Sequence, residues 1–98
     1  MNNAIGTLGI AARARKIVTG DMLISSITKK KIKLVIISEE IGNNSRKKLI
    51  DKCTFYNVAY VFVKDIDLMN IAIGQANRMA IGISDEGFAQ KLHTCLKG

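Results

Sequence analysis

Few side chains in this 98-residue chain have the types and spacing that catalysis requires. His93 is the only histidine, and its nearest thiol, Cys95, lies two residues away and would point to a different face of a helix. The pair Glu39 and Glu40 follows a predicted strand, where α/β folds often bind ligands. Adjacent side chains diverge, however, and no second acid or base has a predictable place beside them. We interpret the pair as a solvated loop or a helix cap, and we predict no enzymatic activity.

The sequence also lacks the usual signals for a cofactor or a metal ion. Gly6 and Gly9 lie inside a predicted helix, and no G-x-G-x-x-G or Walker-type loop occurs. Cys53 and Cys95 have no second cysteine or histidine at metal-ligand spacing, so we expect reduced thiols at helical positions. We therefore predict neither a cofactor nor a metal site.

The most informative local pattern is the segment from Lys16 to Asp21. A short strand ends there, Gly20 lets another backbone approach closely, and the free N–H groups that begin a helix follow. Together with Arg15 and Lys16 they could hold a phosphate. Asp21 favours the opposite interpretation, because a carboxylate in the first turn can cap the helix internally and repel phosphate. The segment alone leaves both interpretations open.

Predicted strands and helices alternate along the chain. The strands are expected at residues 17–18, 33–37, 58–63 and 79–83. The helices are expected over residues 3–14, from Asp21 to Lys31, after residues 42–45, after a cap at Asp65 or Asp67, and after Asp85. The continuous apolar run that ends the strand at 33–37 is typical of a central strand. We predict an α/β fold, a three-layer α/β/α sandwich with a mixed sheet of about four strands, in one domain over residues 1–98.

The positive charge is concentrated in the first half of the chain. Residues 1–52 contain eleven Lys or Arg and four Asp or Glu, whereas residues 53–98 contain four of each. A one-sided basic surface favours a polyanionic partner, RNA or DNA, although a solvated surface kept for solubility would give the same count. The apolar runs, such as residues 34–37, are too short for a membrane span, and the first residues lack the pattern of a secretion signal. We expect a cytoplasmic protein with no membrane partner.

Three segments in this order are similar to a known family: residues 8–20, residues 33–40, and residues 73–75 followed by a strand and residues 85–89. They resemble the kink-turn RNA-binding ribosomal protein family, especially its small bacterial members of the YlxQ type. The resemblance implies the same sandwich fold and non-catalytic binding of structured RNA, kink-turn-like and including ribosomal RNA, by a monomer. The alternative is a protein-interaction module that docks through an apolar surface in a ribosomal or RNA-processing assembly.

The resemblance also implies where RNA would bind, at the beginning of the second helix and in the loop after the fourth. Gly20 corresponds to a family glycine that lets RNA approach, and Lys16 to a phosphate contact. Met22, Leu23 and Ser26 stand where many members have Asn, Glu and Lys, and methionine and leucine cannot read guanine edges by hydrogen bonds.

The second implied element is the loop at residues 75–79, where Met79 would support an extruded base and Arg78 would contact a phosphate. The alternative for Met79 is a place in the core. Asn70 replaces a family glycine one turn before Gly74, which suggests a local difference in helix packing. The expected RNA-binding residues are Arg15, Lys16, Thr19, Gly20, Asp21, Met22, Ser26, Lys30, Asn77, Arg78 and Met79.

Overall fold

The computed structural model describes residues 2–96, which form alternating helices and strands. The helices are α1 (Asn2–Arg13), α2 (Met22–Thr28), α3 (Asn43–Phe55), α4 (Ile66–Ala72) and α5 (Glu86–Leu96). The strands are β1 (Ile17–Val18), β2 (Leu34–Ser38), β3 (Ala59–Val63) and β4 (Ala80–Ile83). Among these helices, none is long and apolar enough to cross a bilayer.

The four strands form one mixed sheet in the order β1-β4-β2-β3. The central strand β2 is parallel to β3 and antiparallel to β4, so that Ile36 lies between Val61 and Ile81. At the other edge, β1 pairs antiparallel with β4. The predicted mixed sheet of about four strands, with residues 33–37 at its centre, is confirmed.

Helices cover both faces of the sheet. Side chains of a strand point alternately to the two faces, so each strand contributes to both cores. Leu34 and Ile36 of β2 pack with α1, α4 and α5 in one core. Val35 and Ile37 pack with α2 and α3 in a second core on the opposite face. All five residues of β2 are buried; the apolar run predicted this for residues 34–37, and the strand extends one residue further, to Ser38. The three-layer α/β/α sandwich is therefore confirmed.

Helix caps are the least accurate part of the sequence interpretation. Asp21 precedes α2 in a helical conformation and its side chain makes no capping hydrogen bond, so its interpretation as an internal cap is wrong. Asp65 likewise precedes α4 without a capping hydrogen bond, and Asp67 lies inside the helix. Only Asp85 acts as expected, since its Oδ2 accepts a hydrogen bond of 2.9 Å from the backbone N–H of Phe88.

The topology brings distant segments to one edge of the sheet. Because β1 runs antiparallel to β4, with Val18 opposite Gly82, the chain leaving β1 at Thr19 and Gly20 continues toward the residues that precede β4. The backbone N–H of Ser38, at the end of β2, donates to the carbonyl of Met79 at 2.8 Å. The beginning of α2 and the loop between α4 and β4 therefore meet at this edge.

Candidate functional site

The loop between α4 and β4, residues 73–79, is held by the side chain of Asn70. The Nδ2 of Asn70 donates to the carbonyls of Ile66 and Arg78, each at 2.9 Å, and its Oδ1 accepts from the backbone N–H of Arg78 at 3.0 Å. Asn70 is buried on α4; its bond to Ile66 is buried, and its two bonds to Arg78 are partly buried. The amide thus fixes both backbone groups of Arg78.

Gln75 connects this loop to the end of β1. Its Oε1 accepts a hydrogen bond from the hydroxyl of Thr19 at 2.7 Å and another from the Nε of Arg78 at 3.0 Å. One amide oxygen therefore joins two segments that are 56 residues apart in sequence. The hydroxyl hydrogen of Thr19 is used in this internal hydrogen bond, so the hydroxyl oxygen can only accept further hydrogen bonds.

The guanidinium of Arg78 lies over Gly20. Gly20 has a φ of +68°, and a Cβ at this position would stand 3.0 Å from Nη1 of Arg78. An alanine would therefore be strained in its backbone and would press on the guanidinium. The absence of a side chain at Gly20 therefore leaves space for the guanidinium of Arg78. The sequence also predicts that this glycine lets RNA approach, and that contact stays a prediction.

Arg78 and its neighbours form one wall of a groove of about 390 Å³. The opposite wall belongs to α3, through Ser45 and Lys48. Met79 also lines this groove and is 41% exposed, so the alternative that it is a core residue is wrong. The remaining lining residues are Gly20, Asp21, Leu23, Ile24, Ile41, Leu49, Asn77 and Ala80. The groove thus combines two exposed cations, Lys48 and Arg78, and the exposed carboxylate of Asp21 with apolar side chains.

The three residues at the family's polar positions differ in their surroundings. Met22 is 64% exposed, whereas Leu23 and Ser26 lie on the buried side of α2. Leu23 fills the space left by Gly82, where its Cδ1 would collide with any added Cβ. Leu23 therefore packs in the core against Gly82. The burial of Ser26 argues against the direct RNA contact expected of it.

Six expected contact residues do not line the groove: Thr19, Met22, Ser26 and the three basic residues Arg15, Lys16 and Lys30. Lys16 stands at the far end of β4, where its carbonyl accepts a hydrogen bond of 2.9 Å from the backbone N–H of Ser84, and Arg15 precedes it. Lys30 follows α2 and lines a separate cavity with Asn57 and His93. All three basic residues are exposed, and their contacts with a partner stay predictions.

The sequence interpretation missed the contributions of Asn70, Gln75, Ser45 and Lys48. Asn70 carried a detectable signal, because it occupies the inward stripe of α4 together with Ile66 and Met69. A polar side chain in such a stripe needs hydrogen-bond partners nearby. No comparable signal marks Lys48, since its role depends on how α3 packs beside α2.

The residues first considered for catalysis do not converge. Glu39 and Glu40 form an exposed turn after β2, and the backbone N–H of Glu40 donates to the hydroxyl of Ser38 at 3.1 Å. Within the described residues, no three His, Cys, Asp or Glu side chains gather as metal ligands do. Cys53 and Cys95 are both free, as expected. Burial raises the pKa of Cys53 to about 11.

The fold is a small α/β/α sandwich with a groove beside the loop that precedes β4. Comparison of the sequence with known proteins identifies its family. Residues 3–93 match the profile of the ribosomal protein L7Ae/L30e/S12e/Gadd45 family, and the chain belongs to this family. It is 40% identical over 90 residues to the RNA-binding protein YlxQ of Bacillus subtilis (strain 168), a match that covers 91% of this chain and 90% of the relative. The RNA-binding protein YlxQ of Enterococcus faecium is 33% identical over 97 residues, which cover 97% and 92% of the two chains.

Solved structures agree with this assignment. A protein of unknown function from Bacillus halodurans C superposes with a TM-score of 0.93 and 33% identity over the full length of both chains. The Giardia lamblia 15.5kD RNA binding protein shares the fold, with a TM-score of 0.78, 16% identity, and coverage of 98% of this chain and 86% of that one. The expected resemblance to a YlxQ-like member of the family is confirmed.

Proposed function

We propose that this protein binds structured RNA, without catalysing a reaction on it, through the groove between α2, the loop at residues 73–79 and α3. The observation that carries the proposal is the placement of Arg78. Its guanidinium is fixed by Gln75 over Gly20 and remains exposed beside Met79. The two relatives named as RNA-binding proteins support the same partner.

The chemistry of the groove suits an RNA with a bulge. A preorganised guanidinium can bind a phosphate through two N–H groups, and the exposed thioether of Met79 offers a polarisable surface for an unpaired base. We therefore infer a kinked helix–bulge–helix as the preferred RNA. Met22 and Leu23 supply no hydrogen bonds to guanine edges, so the shape of the RNA would carry more of the specificity than base readout.

The proposal is tested by comparing three RNAs at one salt concentration: a kink-turn, a straight duplex of equal length and an unrelated stem-loop. We expect the kink-turn to bind at least about tenfold more tightly, which corresponds to roughly 1.4 kcal/mol of shape-dependent contact. Equal affinities would refute the kink-turn preference, and no measurable binding of any of them would refute RNA binding.

Two substitutions separate the roles within the loop. Arg78→Ala should weaken binding and reduce the salt slope by roughly 0.7 to 0.9, the value for one phosphate contact. Met79→Ala should weaken binding without changing that slope, because it removes apolar packing and no charge. The matched control is Lys91→Ala, which removes one exposed positive charge from α5 on the other face of the sheet.

A protein-interaction role has separate support from an apolar surface on α1 and α4. Ile10, Leu68 and Ile71 are at least half exposed, and the two helices pack so closely that a Cβ on Gly9 would lie 3.6 Å from the carbonyl of Ala72. A protein partner docked there would bind with little dependence on salt. Substituting Ile71 with Ser should abolish such binding while leaving RNA affinity unchanged.

A further inference from the structure

The outer face of α3 extends the groove beyond the loop at residues 73–79. Lys48 lines the groove and also borders a second hollow, of about 470 Å³, together with Asp51, Lys52, Phe55 and Tyr56. Lys48, Lys52 and Phe55 are spaced by four and three residues, so they share one face of the helix. We call these three residues the α3 strip. The shared Lys48 makes the strip continuous with the groove.

Phe55 is the unusual member of this strip, because it is 76% exposed. The rings of Phe55 and Tyr56 form a T-shaped pair, with centroids 4.9 Å apart and an interplanar angle of 73°, which covers at most one face of the Phe55 ring. A large exposed aromatic ring beside two lysines combines the two contacts that single-stranded nucleic acid uses. The lysines neutralise phosphates and the ring stacks on a base.

Charge on α3 favours an anionic partner over an apolar one. Arg46, Lys47, Lys48 and Lys52 are its basic residues and Asp51 is its only acidic residue. Arg46 is turned away from the strip, since its guanidinium lies 4.4 Å from the ring centroid of Phe62 on β3. Lys48 and Lys52 instead line the second hollow, beside Phe55.

We propose that the α3 strip binds a single-stranded segment of the same RNA, where the strand leaves the groove. Lys48 and Lys52 contact its phosphates, and an unpaired base stacks on Phe55. The strip spans about 10 Å along the helix axis from Lys48 to Phe55. This inference rests on the proposed function, because the segment belongs to the RNA that the groove holds.

The test uses one kink-turn RNA and two derivatives that carry a short oligoadenylate tail at the 5′ or the 3′ end. We expect one of the tails to raise the affinity of the unaltered protein by about 5- to 150-fold, the range that stacking of one base provides. Phe55→Ala should remove this gain and leave the affinity for the untailed RNA unchanged. Phe55→Tyr should retain the gain, because tyrosine stacks as phenylalanine does.

The charge contribution is measured separately. Lys52→Ala should reduce the gain from the tail and lower the salt slope for the tailed RNA by roughly 0.7, the value for one single-strand phosphate. Lys91→Ala, which removes the same charge from the opposite layer, should leave the gain intact. Melting of each variant without RNA confirms that the fold is retained.

The outcomes distinguish this inference from the proposed function. If the untailed RNA binds but neither tail increases its affinity, the inference is wrong and the proposed function stands. A full gain in Phe55→Ala would also overturn the inference, and would leave the exposed ring for a protein partner. If the unaltered protein binds none of the RNAs, the proposed function itself fails.

Discussion

Asn70 offers the most direct test of how the loop at residues 73–79 is held. The substitution Asn70→Ala removes three hydrogen bonds, one to the carbonyl of Ile66 and two with the backbone of Arg78. Each such bond contributes about 0.5 to 1.5 kcal/mol net. Because Arg78 is exposed and its backbone can hydrate when the loop opens, we expect a loss of about 2 to 3 kcal/mol in the free energy of unfolding.

The conservative substitution Asn70→Asp should be at least as damaging as Asn70→Ala. A carboxylate could still accept from the N–H of Arg78, but it cannot donate to the two carbonyls and would face them as a buried anion. Urea denaturation measures both variants. Asn44→Ala, on the exposed first turn of α3, is the matched control and should change stability by less than about 0.5 kcal/mol.

Binding provides a second, independent readout. Asn70 is only 4% exposed and cannot make a substantial contact with RNA, yet Asn70→Ala should weaken RNA binding as Arg78→Ala does, because the guanidinium loses its fixed position. A loss below about 1 kcal/mol for Asn70→Ala, or an Asp variant as stable as the unaltered protein, would refute the hydrogen-bond account. Unchanged RNA affinity would refute the positioning role.

Three further predictions concern glycine, core and thiol positions. Gly20→Ala should cost about 1 to 2 kcal/mol of folding stability through its positive φ, and should weaken RNA binding by displacing Arg78; normal melting and affinity would contradict both effects. Leu23→Glu should destabilise the fold by about 3 kcal/mol or more in urea denaturation, since it places a charge against Gly82 in the core; a stable variant with higher RNA affinity would show that α2 presents this residue to the RNA. Burial raises the pKa of Cys53 from 9.0 to about 11, so the thiol ionises at lower pH in the unfolded chain than in the folded protein. Cys53 alone should therefore lower the free energy of unfolding by about 2 kcal/mol between about pH 9 and pH 11, measured as the difference from Cys53→Ala over the same range. In single-cysteine variants, Cys53 should alkylate far more slowly at about pH 9 than the half-exposed Cys95, and equal rates would contradict the assigned burial.

The sequence predicted the order and type of every helix and strand, because hydrophobic periodicity reports directly on which faces are buried. The continuous run in β2 was correctly assigned to the centre of the sheet. Helix caps failed at Asp21 and Asp65, since residue type allows a cap but only the local backbone conformation makes one.

The candidate site was predictable only in part. Gly20 was indicated by the local pattern at residues 16–21 and by the family resemblance, Arg78 and Met79 by the resemblance, and the structure places all three on one groove. The sequence did not predict that Ser26 lies on the buried side of α2, because a serine is compatible with either face of a short helix. Lys48 joined the groove only through the packing of α3 beside α2, a contact between elements that no local pattern encodes.

The position of β4 in the sheet has a consequence for how the protein is made. This strand separates β1 from β2, although it follows both in the chain by more than forty residues. During synthesis, the basic first half of the chain is made before the strand that lies between β1 and β2 in the sheet. Until β4 and the loop before it are added, the hydrogen bond from Thr19 to Gln75 cannot form, and no guanidinium of Arg78 lies over Gly20. A nascent chain therefore carries eleven of its fifteen basic residues before the contacts that place Arg78 over Gly20 can form, and the groove is completed only when the sheet closes.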